Sequence, residues 1–159
     1  MKRPDLQIIE DFLYREASFL DTPDLDNWLA LYTQDASYWM PAMENQPDAL
    51  NHISHIYDDR VLMEIRKRNF VHPRAASKDP EVRCSHLIGN IRLEGENEVG
   101  DLVVHSKFQV VMWYRDEQRL FAGSYEHHLQ PYRGSFLIRH KKVSLINPEA
   151  AQKSIIIYL

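Results

Sequence analysis

Eight histidines and a single cysteine are the residues of this 159-residue chain that could hold a metal or move a proton. His52 and His55 stand three apart and would share one face of a helix, a spacing metal sites use, but no Cys, Asp or Glu beside them completes a recognisable ligand motif. His127 and His128 are adjacent in a strand-like run, so they point to opposite faces and cannot chelate one ion together. Cys84 excludes an internal disulfide and any cluster or structural zinc that takes two thiolates from one chain. A Rieske centre takes two cysteines and two histidines, so this chain cannot build one alone.

Acid–base chemistry is the sharper enzymatic idea. Asp35, Tyr32, Tyr38 and His86 are the candidates for a proton-moving site in an internal pocket, with His86 on the strand face of Cys84 and Ile88 and therefore directed inward. Against it stands the plainer reading of a lone inward histidine as a hydrogen-bonded core residue. Glu16 follows Phe12 and Leu13 by one turn on an apolar face, so it must be buried and paired, with Arg60, Arg66 or Arg68 as the expected partner. Trp28, Tyr32, Tyr38 and Trp39 read as core or interface before they read as a ligand cage, and no Gly-rich phosphate loop occurs.

These residues need elements to position them. Ile8, Ile9, Phe12, Leu13, Ala17 and Leu20 recur at three- and four-residue intervals and predict an amphipathic helix over residues 5–20. Asp21 to Pro23 break it, and Asp24 caps a short second helix through Trp28 and Leu31. Ala36 to Met40 reads as a short edge strand ended by Pro41. Residues 44–80 combine a helical segment around Asp58 to Arg68 with a loop carrying Pro73 and Pro80.

Four strand-like runs follow: Val82 to Leu93, Leu102 to Tyr114, Leu120 to Gln130 and Phe136 to Ile146. Their short polar connections suit antiparallel hairpins, and in the second run Leu102, Val104, Phe108, Val110 and Met112 share one face, opposite His105, Lys107 and Gln109. The fold class expected is α+β in one domain over residues 1–159, a curved, mostly antiparallel sheet with the N-terminal helices on its concave face. Ile155, Ile156, Ile157 and Tyr158 form an apolar run that something must cover, a last strand being the first expectation.

The net charge of −4, with Lys and Arg scattered among acids, argues against nucleic acid. No run approaches the roughly 20 apolar residues of a membrane helix. The first residues, MKRPDLQIIE, turn acidic and helical, so a cytoplasmic chain is expected.

Five segments in this order resemble the β (small) subunits of bacterial aromatic-ring-hydroxylating, Rieske-type dioxygenases. They are FLYREASFLDTPDLDNWLALYTQDASYWMPA from Phe12 to Ala42, DDRVLMEIRKR from Asp58, SHLIGNI from Ser85, GSYEHHL from Gly123, and FLIRHKKVSLIN from Phe136 to Asn147. The resemblance implies the cone fold shared by nuclear transport factor and scytalone dehydratase. It also implies an assembly of three α and three β subunits, in which the β subunits form a trimeric stem. The Rieske [2Fe-2S] cluster and mononuclear non-haem iron would then lie in the α subunit, fed with NADH-derived electrons through a reductase or ferredoxin. The chemistry would be cis-dihydroxylation of an aromatic ring, within the family most like that of aromatic acids. On this reading the chain supplies no catalytic, cofactor-binding or metal residue and is inactive alone. The competing expectations are a free-standing dehydratase or isomerase using Asp35 and His86, and a non-catalytic small-molecule binding module.

Overall fold

Helix α1, Leu6–Asp21, starts where the Asp5 carboxylate accepts the Gln7 amide at 3.1 Å, and it buries Ile9, Phe12, Leu13, Glu16, Ala17 and Leu20 along one stripe. Burying each large aliphatic side chain of that stripe contributes about 1.5–3 kcal/mol. Asp24 caps α2, Leu25–Leu29, through the Asn27 amide, and α2 stops two residues short of the expected Leu31. The computed structural model describes residues 4–76, 82–148 and 158–159. The expected strand Ile155–Ile157 lies outside the described residues.

Strands β1, Tyr32–Pro41, β2, Ser54–Asp59, β3, Arg83–Glu96, β4, Leu102–Tyr114, β5, Glu117–Tyr132, and β6, Ser135–Leu145, make one sheet in the order β2-β1-β6-β5-β4-β3. Helix α3 runs from Arg60 to Ala76 between β2 and β3. All pairings are antiparallel except β1 with β6. The α+β, mostly antiparallel sheet is the one expected, with α1 packed against β3 and β6 on its concave side. On β4 the residues Leu102, Val104, Phe108, Val110 and Met112 are buried, as alternation requires.

The two tight hairpins have a stereochemical cause. Arg115 and Asp116 (φ 52° and 58°) join β4 to β5, and Arg133 and Gly134 (φ 48° and 74°) join β5 to β6. Two-residue loops with positive φ match the right-handed twist of the strands they connect.

Three expectations are corrected. The strand at Ala36–Met40 is longer, and it is interior, because β2 covers one side and β6 pairs with the other through Ser37↔His140 and Tyr38↔Lys141. The edge on this side of the sheet is β2, whose sequence SHIYDD is too polar to signal a strand. Pro41 is tolerated because it sits where the β1–β2 register shifts. Helix α3 runs on past the expected Asp58 to Arg68 segment, through Pro73, to Ala76. No helix among the described residues is long and apolar enough to cross a membrane.

Candidate functional site

The interior of the cone holds charge. Glu16 leaves the buried face of α1 at 1 % exposure and accepts from four donors: Lys141 Nζ at 2.7 Å, Trp28 Nε1 at 2.9 Å, His127 Nε2 at 2.9 Å and Tyr32 Oη at 3.2 Å. Burial pushes the Glu16 carboxyl up, but the Lys141 ammonium and the His127 ring outweigh it and hold the group well below the usual carboxylate range. Lys141, also 1 % exposed, comes from the inward face of β6 and lies 4.4 Å from the centre of the Tyr125 ring. Glu16 is buried and paired as expected, but its partner is Lys141 and not an arginine. Arg60 instead holds the Leu29 and Tyr32 carbonyls and Glu64, Arg66 pairs with Asp58, and Arg68 is exposed.

Tyr158 and Leu159 fill the space above this cluster. Tyr158 stacks on Trp28 with centroids 4.5 Å apart and donates to buried Asp58 at 2.7 Å. The Leu159 amide donates to Tyr38 Oη at 3.0 Å, and its carbonyl accepts from Lys141 Nζ at 2.8 Å. Trp28, Tyr32 and Tyr38 are thus core, with their polar atoms committed to Glu16 and to Leu159, whereas buried Trp39 donates its indole N–H to Ser54 Oγ at 2.9 Å.

The four residues nominated for acid–base work are not brought together. Tyr32 and Tyr38 lie in the interior, whereas Asp35 is 67 % exposed beside Arg139 and Thr33. The register shift between Tyr32 and Ser37 turns this stretch of β1 outward, so Asp35 cannot serve His86. His86 does point inward, its side chain 1 % exposed, and its partner is Asp21: Nδ1 lies 2.6 Å from Oδ1, which also accepts the His86 amide at 3.0 Å. Burial pushes this imidazole down, with Asp21 opposing. Asp21 was legible only as a helix terminator, since 65 residues separate it from His86. The dyad straps the end of α1 to β3.

His127 and His128 take opposite faces, as alternation predicts: His127 reaches Glu16 inside, and His128 reaches Glu126 outside at 3.2 Å. His52 and His55 share no helix. His52 lies 3.2 Å from the Asp48 carbonyl and His55, on β2, 2.7 Å from the Pro148 carbonyl. Among the described residues no three His, Cys, Asp or Glu converge on a position for an ion. Burial and nearby Asp21 push the Cys84 thiol up to about 12, so it is a thiol at neutral pH. One such cysteine does not fit a cluster that takes two thiolates.

The outer face of the sheet carries a polar row with a pH signature. His105 and His128 both hold Glu126, His128 packs on His140 with centroids 5.1 Å apart, and His140 Nδ1 lies 2.6 Å from Ser37 Oγ. Burial, with the neighbouring His128, pushes His140 down to about 4. A depressed imidazole means that the unfolded chain binds a proton that the folded chain refuses, so stability falls as pH drops from 6.5 towards 4. We expect a loss of about 3 kcal/mol across that window. His140→Gln should reduce that slope in urea titrations at several pH values, the remainder coming from His86 and His127, which burial also pushes down, and an unchanged slope would refute the assignment.

Residues 15–150 match the family model described as "Ring hydroxylating beta subunit". The chain is 32 % identical over 139 residues to the small oxygenase component of the p-cumate 2,3-dioxygenase system of Pseudomonas putida, covering 86 % of this chain and 77 % of that one. Its fold superposes on the β subunit of benzoate 1,2-dioxygenase from Burkholderia mallei with a TM-score of 0.81 and 28 % identity, covering 98 % and 99 % of the two chains. Naphthalene 1,2-dioxygenase with indole in its active site shares the fold at a TM-score of 0.80 and 16 % identity, over 100 % of this chain and 89 % of that one.

Proposed function

This chain belongs to the family of ring-hydroxylating β subunits, and from that membership we propose that it is the structural, non-catalytic subunit of a cytoplasmic aromatic-ring dioxygenase, inactive when isolated. The observation that carries the reading is the family match over residues 15–150. The interior supports it: the residues best suited to chemistry are spent on one another, Glu16 on Lys141 and His127, Tyr38 on Leu159, and Asp21 on His86.

The iron chemistry, cis-dihydroxylation with dioxygen and NADH-derived electrons, belongs on this proposal to an α subunit holding the Rieske cluster and mononuclear iron. No step of it is assigned to residues of this chain. Three α and three β subunits, with the β subunits as the stem, are the proposed assembly, and electrons reach it through a reductase or ferredoxin that meets the α subunit. An aromatic acid is the proposed substrate class, supported by relatives that are subunits of benzoate and toluate dioxygenases.

Co-expression with the α subunit tests this. The chain is expected to co-purify with it and to be required for a soluble, active complex, whereas the isolated chain contains no stoichiometric iron and turns over no aromatic acid. Iron in the isolated chain by metal analysis, or turnover without the partner, would overturn the proposal.

A further inference from the structure

Among the described residues, four buried side-chain atoms have no hydrogen-bond partner: His86 Nε2, Ser106 Oγ, Tyr125 Oη and His127 Nδ1. They are not scattered. His86 stands on β3, Ser106 on β4, and Tyr125 and His127 on β5, each at a position that alternation turns to the concave side of the sheet. Ser106 pairs directly across the ladder with Tyr125. The Tyr125 ring meets the edge of the His127 ring with centroids 5.4 Å apart, and burial first, then the charges of Glu16 and Asp21 among others, push its hydroxyl up. Tyr125 therefore lies between two buried dyads, Glu16–His127 and Asp21–His86. Their carboxylates stand five residues apart on α1, about 7.5 Å along its axis.

Three of the four side chains cannot turn to a new partner without breaking a contact they already make. His86 is held by Asp21 through both its ring and its main-chain amide, and His127 is held by Glu16. The Tyr125 ring is stacked on Phe108 with centroids 4.2 Å apart, and the Lys141 ammonium lies 4.4 Å from its centre. The protonation states follow from the same contacts. Each imidazole presents an N–H to a carboxylate, at 2.6 Å for His86 Nδ1 and 2.9 Å for His127 Nε2, and burial pushes both rings down. Both are then neutral, and the second nitrogen of each is a bare acceptor. Two acceptors and two hydroxyls thus face the interior, and whatever satisfies them must donate as well as accept. An anion cannot donate, and it would stand beside Glu16 and Asp21. A metal ion finds no convergent set of three ligands among the described residues. Water carries two donors and two acceptor lone pairs on one oxygen and meets both demands.

We propose that the concave face of β3, β4 and β5 binds ordered water, which links the Asp21–His86 dyad through Tyr125 and Ser106 to the Glu16–His127 dyad. A buried water makes about three hydrogen bonds, so about two molecules satisfy the four atoms. The water donates to His86 Nε2 and His127 Nδ1 and accepts from the hydroxyls of Tyr125 and Ser106. Two carboxylate–imidazole pairs that share no residue then belong to one hydrogen-bonded system, and α1 is held to β3 and β5 at two levels by a continuous polar network. The site is part of the fold of this chain and stands independently of its role as a subunit.

Removing a hydroxyl distinguishes a bonded group from an orphan by the sign of the effect, because deleting a bonded hydroxyl destabilises and deleting an orphaned one does not. Tyr125→Phe and Ser106→Ala in the full-length chain are each expected to lower the melting temperature by about 2–4 °C. The double variant is expected to lose less than the sum, since both hydroxyls act on the same waters. Tyr14→Phe, which removes an exposed hydroxyl, is the control and should melt with the parent. A crystal structure of the full-length chain, at a resolution that shows ordered solvent, is expected to place water within hydrogen-bond distance of His86 Nε2 and Tyr125 Oη, and to show it displaced in Tyr125→Phe. Unchanged or raised melting temperatures in both single variants overturn the proposal, as does electron density in which these atoms bond directly to protein groups or to an organic molecule.

Discussion

Lys141→Met is expected to lower the free energy of unfolding by about 3–5 kcal/mol, a loss large enough to leave much of the chain unfolded at 37 °C. Methionine fits the aliphatic stem of Lys141, so packing changes little. What changes is that Glu16, at 1 % exposure, keeps its charge without the ammonium that lies 2.7 Å away. The asymmetry between breaking a buried pair and replacing it is the diagnostic feature. Glu16→Gln combined with Lys141→Met removes both charges, and glutamine can still accept from Trp28 and Tyr32, so the double variant is expected to recover most of the loss. The pH dependence follows in sign. Glu16 is held below its ordinary value of 4.5, so its contribution is fully present above that pH and is lost as pH falls through the lower folded-state value. In Lys141→Met the carboxyl is no longer held down, and acid unfolding should begin at higher pH. Urea denaturation of the four proteins in the cycle measures this. A single-variant loss below about 1 kcal/mol, or additive losses in the double variant, would show that the pair is not the keystone of the interior.

That pair also marks where reading a sequence stops. The 3.6-residue stripe of α1 and the alternation in β3 to β6 are local signals, and the elements they predict are present within a few residues. The stripe even shows that Glu16 is buried, which compels a partner. It cannot name Lys141, which is 125 residues away and is placed by the register of a different hairpin. An arginine on the nearby helical segment was the economical expectation, yet α3 packs on β1 and β2, far along the chain's own logic from α1. The same limit governs β1: its parallel pairing with β6 joins residues about a hundred positions apart, so no local pattern marks it as interior. The inward aim of His86 was legible from alternation, but its carboxylate partner was not, because Asp21 announces itself as a helix end and not as a side chain facing a strand. Asp35 failed for the converse reason. Its neighbours Tyr32 and Tyr38 do face the core, and only the register shift between them turns it out to solvent.

Gly123→Ala is expected to destabilise the chain by about 3 kcal/mol, at the upper end of what one added methyl group does in a packed interior. A Cβ built on Gly123 would collide with the Ser144 carbonyl oxygen and lie 3.0 Å from the Leu145 Cα, both main-chain atoms of β6 that no rotamer change can move. Relief requires the end of β6 to leave β5, breaking the Gly123↔Leu145 and Ser124↔Ser144 pairings and drawing buried Val143 and Leu145 out of the core. Because Lys141 sits two residues before Val143 on that strand, the shift also disturbs the ammonium that holds Glu16. Gly89→Ala is the matched control. It too replaces a strand glycine, but nothing lies within 4 Å of its Cβ, so the change should fall within about 0.5 kcal/mol of the parent. Denaturant titration of both variants decides the matter. Equal losses would mean that strand glycines act here through backbone entropy alone; a loss confined to Gly123→Ala places the constraint at the close approach of β5 and β6.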